Sequence, residues 1–279
     1  MAQTYASYDL CESHITADAV AQDSVALTTI FADPVTEDIY HIEQRASEGG
    51  RCMLMSNKTQ KEVFGKDFNA RTRVHEYLAG SAIAYNGTVY SSNFTDFRIY
   101  AAKDRNIKPI TPEDPNKLYR YAYFCVHPVH TDLLVAILQD HTNDTSRTVR
   151  NSLCVVNSSA ATVAPLVSTE NAESEFYATA PMFSPSGDKL SWQLWKQPGM
   201  PWKGGQIYVA DVHYNSNTHT LSLSNTKLVA GEANNLSACC SRDPGQVSDS
   251  VWPYIAPELP IVEVVCCYQH DAEESLSQY

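Results

Sequence analysis

The chain has 279 residues, 43% of them hydrophobic and 19% charged, with 20 Lys+Arg against 32 Asp+Glu for a formal charge of −12. That is the composition of a globular protein able to bury a substantial core, as one large or two small domains, and not of a disordered one. The acidic balance argues against nucleic-acid binding by phosphate neutralisation and against attraction to anionic lipid.

The first twenty residues carry Asp9, Glu12 and Asp18 without a long apolar core, so no secretory signal is expected. No stretch approaches the roughly 18 apolar residues of a membrane helix. A cytoplasmic location is the expectation, and most of the eight cysteines are expected to be buried reduced thiols. The six Asn-X-Ser/Thr sequons (Asn57, Asn86, Asn93, Asn143, Asn157, Asn235) are then expected to stay unmodified.

In chain order, strand signals dominate: β-branched and aromatic runs alternate with Gly, Asn, Asp and Pro punctuation. Residues 25–31, 39–43 and 51–55 read as a first set of strands, with Asp33-Pro34 and Glu48-Gly49-Gly50 as turns. Residues 81–85, 88–92 and 97–101 form a second set, with Asn86-Gly87 as a two-residue hairpin turn. A third set covers 121–126, 133–139 and 152–157, and a fourth 177–183, 189–194, 206–213 and 221–229. The sets recur at about 40–50 residues, the period of four-stranded propeller blades. An internal echo supports the repeat: residues 124–135 and 183–192 each run from an aromatic through a Pro-containing turn into a return strand. A sandwich with two similar hairpins would give the same echo.

The predicted fold is all-β: a partial β-propeller of about four four-stranded blades. An N-terminal extension over 1–24 precedes a propeller over 25–236. An irregular tail over 237–279, which includes Cys239-Cys240 and Cys266-Cys267, fits no blade repeat.

The densest chemistry lies in Arg71-Thr72-Arg73-Val74-His75-Glu76-Tyr77. Two guanidiniums and a carboxylate near a propeller opening could bind a peptide terminus or a carboxylate, because arginine offers a bidentate fork. The reading favoured over this is structural: Arg73, His75 and Glu76 form a buried network that pins an inter-blade loop. A second segment, residues 192–202, holds Trp192, Trp195 and Trp202. These could line a ligand wall or form a rigid corner against the next blade, aromatics being chiefly core and interface mass. The candidate ligand-binding residues are therefore Arg71, Arg73, His75, Glu76, Trp195 and Trp202. His127, His130, Asp140 and His141 match no zinc spacing, adjacent cysteine pairs point to opposite sides of an extended chain, and no glycine loop cradles phosphate. No metal, cofactor or catalytic residue is expected. Glu113-Asp114, after Thr111-Pro112, reads as turn chemistry.

Several segments resemble, in order, the propeller that precedes the hydrolase domain in the prolyl oligopeptidase family, most closely its acylaminoacyl- and dipeptidyl-peptidase-type members. They are Ile39-Tyr40 with Glu43, Phe68-Asn69-Ala70 leading into 71–77, Gly87-Thr88-Val89-Tyr90, Ser92-Asn93-Phe94-Thr95-Asp96, Asp140-His141 and the 192–202 run. The likeness covers roughly residues 25 to 235. Where the family has glycines after His-Glu-Tyr, this chain has Leu78, Ala79 and Gly80, and where the family has Glu-Asp-His it has Gln139-Asp140-His141. The family's nucleophile sits in Gly-X-Ser-X-Gly, which occurs nowhere in this sequence. The resemblance implies a binding or interaction module without its own serine-hydrolase activity. Its partners would be a second copy, a separate hydrolase subunit, or a peptide or small-molecule ligand. An accessory role in a small-molecule biosynthetic pathway is the alternative.

Overall fold

A computed structural model describes residues 24–76, 80–145, 148–168, 175–177, 181–196 and 205–231. Four antiparallel sheets follow one another along the chain. The first runs β1 (Val25–Ala32), β2 (Ile39–Arg45), β3 (Arg51–Ser56), β4 (Lys61–Glu62); the second β5 (Ala82–Tyr85), β6 (Thr88–Ser92), β7 (Ile99–Lys103), β8 (Asn106–Pro109). The third runs β9 (Tyr119–Val126), β10 (Leu133–Asp140), β11 (Arg150–Asn157), β12 (Thr162–Ser168). In the fourth, β13 (Glu175–Tyr177) and β14 (Met182–Phe183) both pair with β15 (Lys189–Lys196), which leads to β16 (Gln206–Asn215) and β17 (Thr220–Ala230). The first strands lie side by side: β5 contacts β1 and β9, and β9 contacts β14. Up-and-down sheets packed in chain order around their first strands are propeller blades, so the fold expectation holds. No described helix is long and apolar enough to cross a membrane.

Three apolar cores join the four blades. Tyr40, Ile42, Cys52 and Leu54 of the first meet Ala82, Ala84, Val89 and Ala102 of the second. The other face of the second, with Tyr90, Ile99 and Ala101, meets Tyr121, Phe124, Leu134, Ala136, Cys154 and Val156 of the third. The third then turns Leu133, Val135, Ile137, Leu153 and Val155 towards Leu190, Trp192, Leu194 and Ala210 of the fourth. Because successive strand residues point to opposite faces, a strand between two cores must be apolar at every position. β10, Leu-Leu-Val-Ala-Ile-Leu, meets that requirement, with Leu133 to Ile137 fully buried. The far side of the first blade differs: Val25, Leu27, Ile30 and Ile39 are 44–62% exposed.

The sequence reading placed the inner three strands of the first three blades and the outer three of the fourth, but differed from the structure in four ways. The outer strands β4, β8 and β12 were not foreseen, since two are very short and β12 carries Pro165, tolerated only at a sheet edge. The strand expected over 177–183 is two short ones, β13 and β14. The strand expected to begin at Phe97 begins at Ile99, because Phe97 has φ 61° and lies in the preceding turn. Trp192 and Trp195 do not share a wall: three positions apart on one strand, they face opposite sides, Trp192 into the core with the third blade. The expected tail over 237–279 lies outside the described residues.

Loops are pinned across blades by polar groups. Asp33 is only 1% exposed. Its carboxylate accepts from the N–H groups of Val35 (2.8 Å) and Thr36 (3.2 Å), and from Asn86 (3.0 Å) and Gly87 (2.7 Å) in the hairpin turn of the second blade. That turn has φ 49° and 75° at Asn86 and Gly87, the left-handed pair that Asn-Gly supplies. Burial alone would raise the Asp33 pKa, but the four N–H donors outweigh it and hold the carboxyl below its usual range. Between the third and fourth blades, His127 Nδ1 accepts from Val129 N (3.1 Å) and His130 N (3.0 Å), and its ring packs on Phe183. Burial first, then the neighbouring His130, lowers the His127 pKa below 6.5.

Two outcomes are expected. Asp33→Ala strands two N–H groups in each of two blades and should cost about 3 kcal/mol, with Asp33→Asn intermediate; denaturant melts showing no change would contradict the pin. For His127, a folded pKa below the unfolded one means that the unfolded chain binds the proton more readily. Its contribution is therefore complete above the unfolded value, near 6.5, and is lost as pH falls through the folded pKa. His127→Gln should flatten the part of the stability–pH curve just below pH 6.5.

Candidate ligand-binding face

The segment from Asn69 to Glu76 crosses from the first blade to the second and reaches the third and fourth. Ala70 bridges to Asn93, and Asn69 O accepts from both Arg71 N (2.7 Å) and Phe94 N (2.9 Å). Thr72 Oγ1 donates to Tyr121 O at 2.7 Å and accepts from Val74 N at 3.2 Å. Gly80 O accepts from Tyr123 N (2.7 Å), and a Cβ at Gly80 would sit 2.8 Å from the Tyr123 ring. Of the three positions where the resembled family has glycines, this is the one that this chain keeps, and close approach explains it; Leu78 and Ala79 lie outside the described residues.

His75 adopts φ 58° and ψ 9°, a left-handed conformation uncommon for a non-glycine residue. Gln139 of β10 holds it there. The His75 N–H can only donate, and it meets Gln139 Oε1 at 3.2 Å, which fixes the orientation of the amide. Gln139 Nε2 then donates to His75 Nδ1 (3.0 Å) and to Asn151 Oδ1 (2.9 Å), so Nδ1 of His75 is an acceptor. His141 Nε2 lies 3.3 Å from the same Oε1, while His141 Nδ1 lies 2.8 Å from Asp144 Oδ1. The hydrogen bond from His141 holds the Asp144 carboxyl below its usual range. The His75 ring meets Trp195 of the fourth blade edge-on at 5.0 Å.

Arg71 does not join this network. Its guanidinium lies 5.1 Å over the Phe94 ring, while Arg120 lies 5.6 Å over Phe97 and donates to Arg73 O at 3.4 Å. Phe94 and Phe97 are themselves edge-to-face at 6.0 Å. Arg73 is exposed.

The structure thus gathers Arg71, Arg73, His75 and Trp195 at one end of blades two to four, where β6 turns to β7 and β15 ends. Trp202 and the Glu76 side chain lie outside the described residues. Gln139, Asn151, Phe94 and Arg120 were not singled out as site residues from the sequence; only the departure at Gln139 and the family-like run through Phe94 marked their places. A polar recess of about 210 Å³ lined by Asn86, Lys103, Asp132 and Ser158 lies at the opposite strand ends and includes none of these residues. It is open, and its lining comes from hairpin turns and the strand residues beside them.

No family profile and no curated protein matches the chain. Solved structures do. A Mycobacterium tuberculosis puromycin-hydrolyzing peptidase superposes with TM-score 0.66 at 25% identity, over 80% of this chain and 35% of its own. A puromycin hydrolase complexed with PGG gives TM-score 0.68 at 23% identity, over 82% of this chain and 36% of its own. The chain therefore spans about a third of the length of these proteins. It has the fold of the propeller portion of prolyl-oligopeptidase-type peptidases, as the sequence motifs implied.

Gln139→Leu keeps the volume but removes the acceptor of the His75 N–H and the donor to Asn151. It should lower stability by about 2 kcal/mol and change the fluorescence of Trp195 by releasing His75. An unaltered melt and emission spectrum would mean that the amide does not hold the loop.

Proposed function

We propose that this chain is a ligand-recognising propeller of the peptidase type that performs no serine-hydrolase chemistry of its own. The carrying observation is the loop between the first two blades, which the Gln139 amide locks onto the third blade and His75 packs against Trp195 of the fourth, and which holds Arg71 over the Phe94 ring with no carboxylate paired to it among the described residues. Rigid side chains on a fixed scaffold suit recognition, because little ordering is left to be done on binding. Acyl transfer needs more: a nucleophile, a base oriented towards it, and donors for the oxyanion. The sequence holds no Gly-X-Ser-X-Gly. The serine-rich turn at Ser184 and Ser186 has both hydroxyls committed to Asp188, at 2.7 and 2.5 Å, with no histidine on them. Their hydrogen bonds hold Asp188 below the usual carboxylate range, which marks a satisfied turn.

The purified chain should release nothing above background from acyl-aminoacyl or dipeptidyl chromogenic substrates, and a fluorophosphonate probe should label no serine. Stoichiometric labelling of one serine, abolished by His75→Ala or His141→Ala, would overturn the proposal.

A further inference from the structure

We infer that Arg71 is the anchor of a carboxylate-binding site, taking a ligand such as a peptide C terminus or an N-acylated amino acid. The inference deepens the recognition reading above and rests on it.

Three other arginines in the first two blades are occupied. Arg45 pairs with Glu43 at 2.7 Å, Arg51 is shared among Glu48, Glu62 and the Phe68 carbonyl, and Arg98 donates twice to Thr111 O. Arg71 is the contrast. It is half-buried and pairs with no carboxylate among the described residues, in a chain with 32 acidic side chains. Its Nε is shut off from solvent and meets no acceptor there. A sealed donor without an acceptor carries a standing cost, so the fold holds this guanidinium in place at the expense of stability.

The geometry selects the kind of acceptor. One face of the guanidinium is taken by the Phe94 ring, leaving in-plane donors for a ligand. With Nε sealed by protein, the donors left for a ligand are the two Nη groups, which form the end-on fork whose spacing matches the two oxygens of a carboxylate. The fork is also pre-positioned. Arg71 N and Phe94 N bond to the same Asn69 carbonyl, and Asn93 Oδ1 accepts from Asn69 N (3.2 Å) and Thr95 N (3.3 Å), so cation and platform share one small backbone lattice. The Arg120 guanidinium on neighbouring Phe97 adds positive potential beside it.

The test is calorimetric titration of the 279-residue chain with N-acetyl-L-leucine, N-acetyl-L-leucinamide and inorganic phosphate. The acid should bind saturably and at least about tenfold more tightly than the amide, the size of effect expected of a charge-assisted pair. Arg71→Gln should erase that preference, while Arg105→Gln, the same charge change in an exposed turn at the opposite strand ends, should keep it. Phe94→Leu, which leaves the arginine but removes its platform, should weaken the acid several-fold and serves if Arg71→Gln fails to fold. Equal binding of acid and amide, an undiminished preference in folded Arg71→Gln, or phosphate binding without the acid would each overturn the inference. These outcomes are independent of fluorophosphonate labelling, so failure here and failure of the non-hydrolytic reading can be told apart.

Discussion

The structure depends on one constraint: a four-stranded sheet with apolar residues on both faces cannot exist alone in water. Each blade here resolves it by sharing a core with the next, so that the second and third are buried on both sides and four sheets are joined by three cores. Size matching within these cores follows from position. The second blade presents Ala82, Ala84 and Ala102 to the rings of Tyr40, Phe64 and Phe68, whereas the third and fourth fill their shared space with Leu, Ile, Val and Trp192. Small residues facing large ones set the approach of the first two blades, and branched aliphatics packed around Trp192 and Phe183 set that of the last two. The constraint is also visible where it is not met among the described residues, in the exposed row of Val25, Leu27, Ile30 and Ile39.

Apolar contact between sheets is not directional, and polar pins supply what it lacks. The Asp33 carboxylate ties the first blade to the second. The Tyr121 carbonyl receives hydroxyls from Thr72 and Ser92 at 2.7 and 2.8 Å, tying the second and its approach loop to the third. Gln139 gathers the same loop onto β10. All are buried and all cross a blade boundary, so each leaves donors or acceptors stranded if the blades slide.

What the sequence revealed and what it hid divide along the same physical line. Strands buried on one or both faces announce themselves by β-branched and aromatic runs, and Asn86-Gly87 announces its turn. Edge strands such as Lys61–Glu62 and Asn106–Pro109 do not: they bury little, and their Lys, Glu, Asn and Pro discourage further strand pairing, so they read as loop. The Arg71–Tyr77 segment was legible as a dense run of polar chemistry but not as two separate groupings. Nothing in residue order says that His75 turns to a left-handed conformation under Gln139 while Arg71, four residues earlier, lies on a phenylalanine from another strand. That division is made by contacts with Gln139 and Phe94, 64 and 23 positions away along the chain.

The division also assigns different work to neighbouring residues. Gln139 has both amide atoms engaged by His75, Asn151 and His141, and a group so engaged has little left to offer a ligand; it fixes the loop. Arg71 holds the opposite position, fixed through its backbone and its ring platform rather than through its charge. A cation that is immobilised without being neutralised keeps its field for something outside the protein, and in a chain of net charge −12 that field is a local exception. The recognition site proposed above combines rigidity borrowed from blades two to four with a guanidinium in the same loop that no carboxylate pairs among the described residues. Neither half requires a nucleophile.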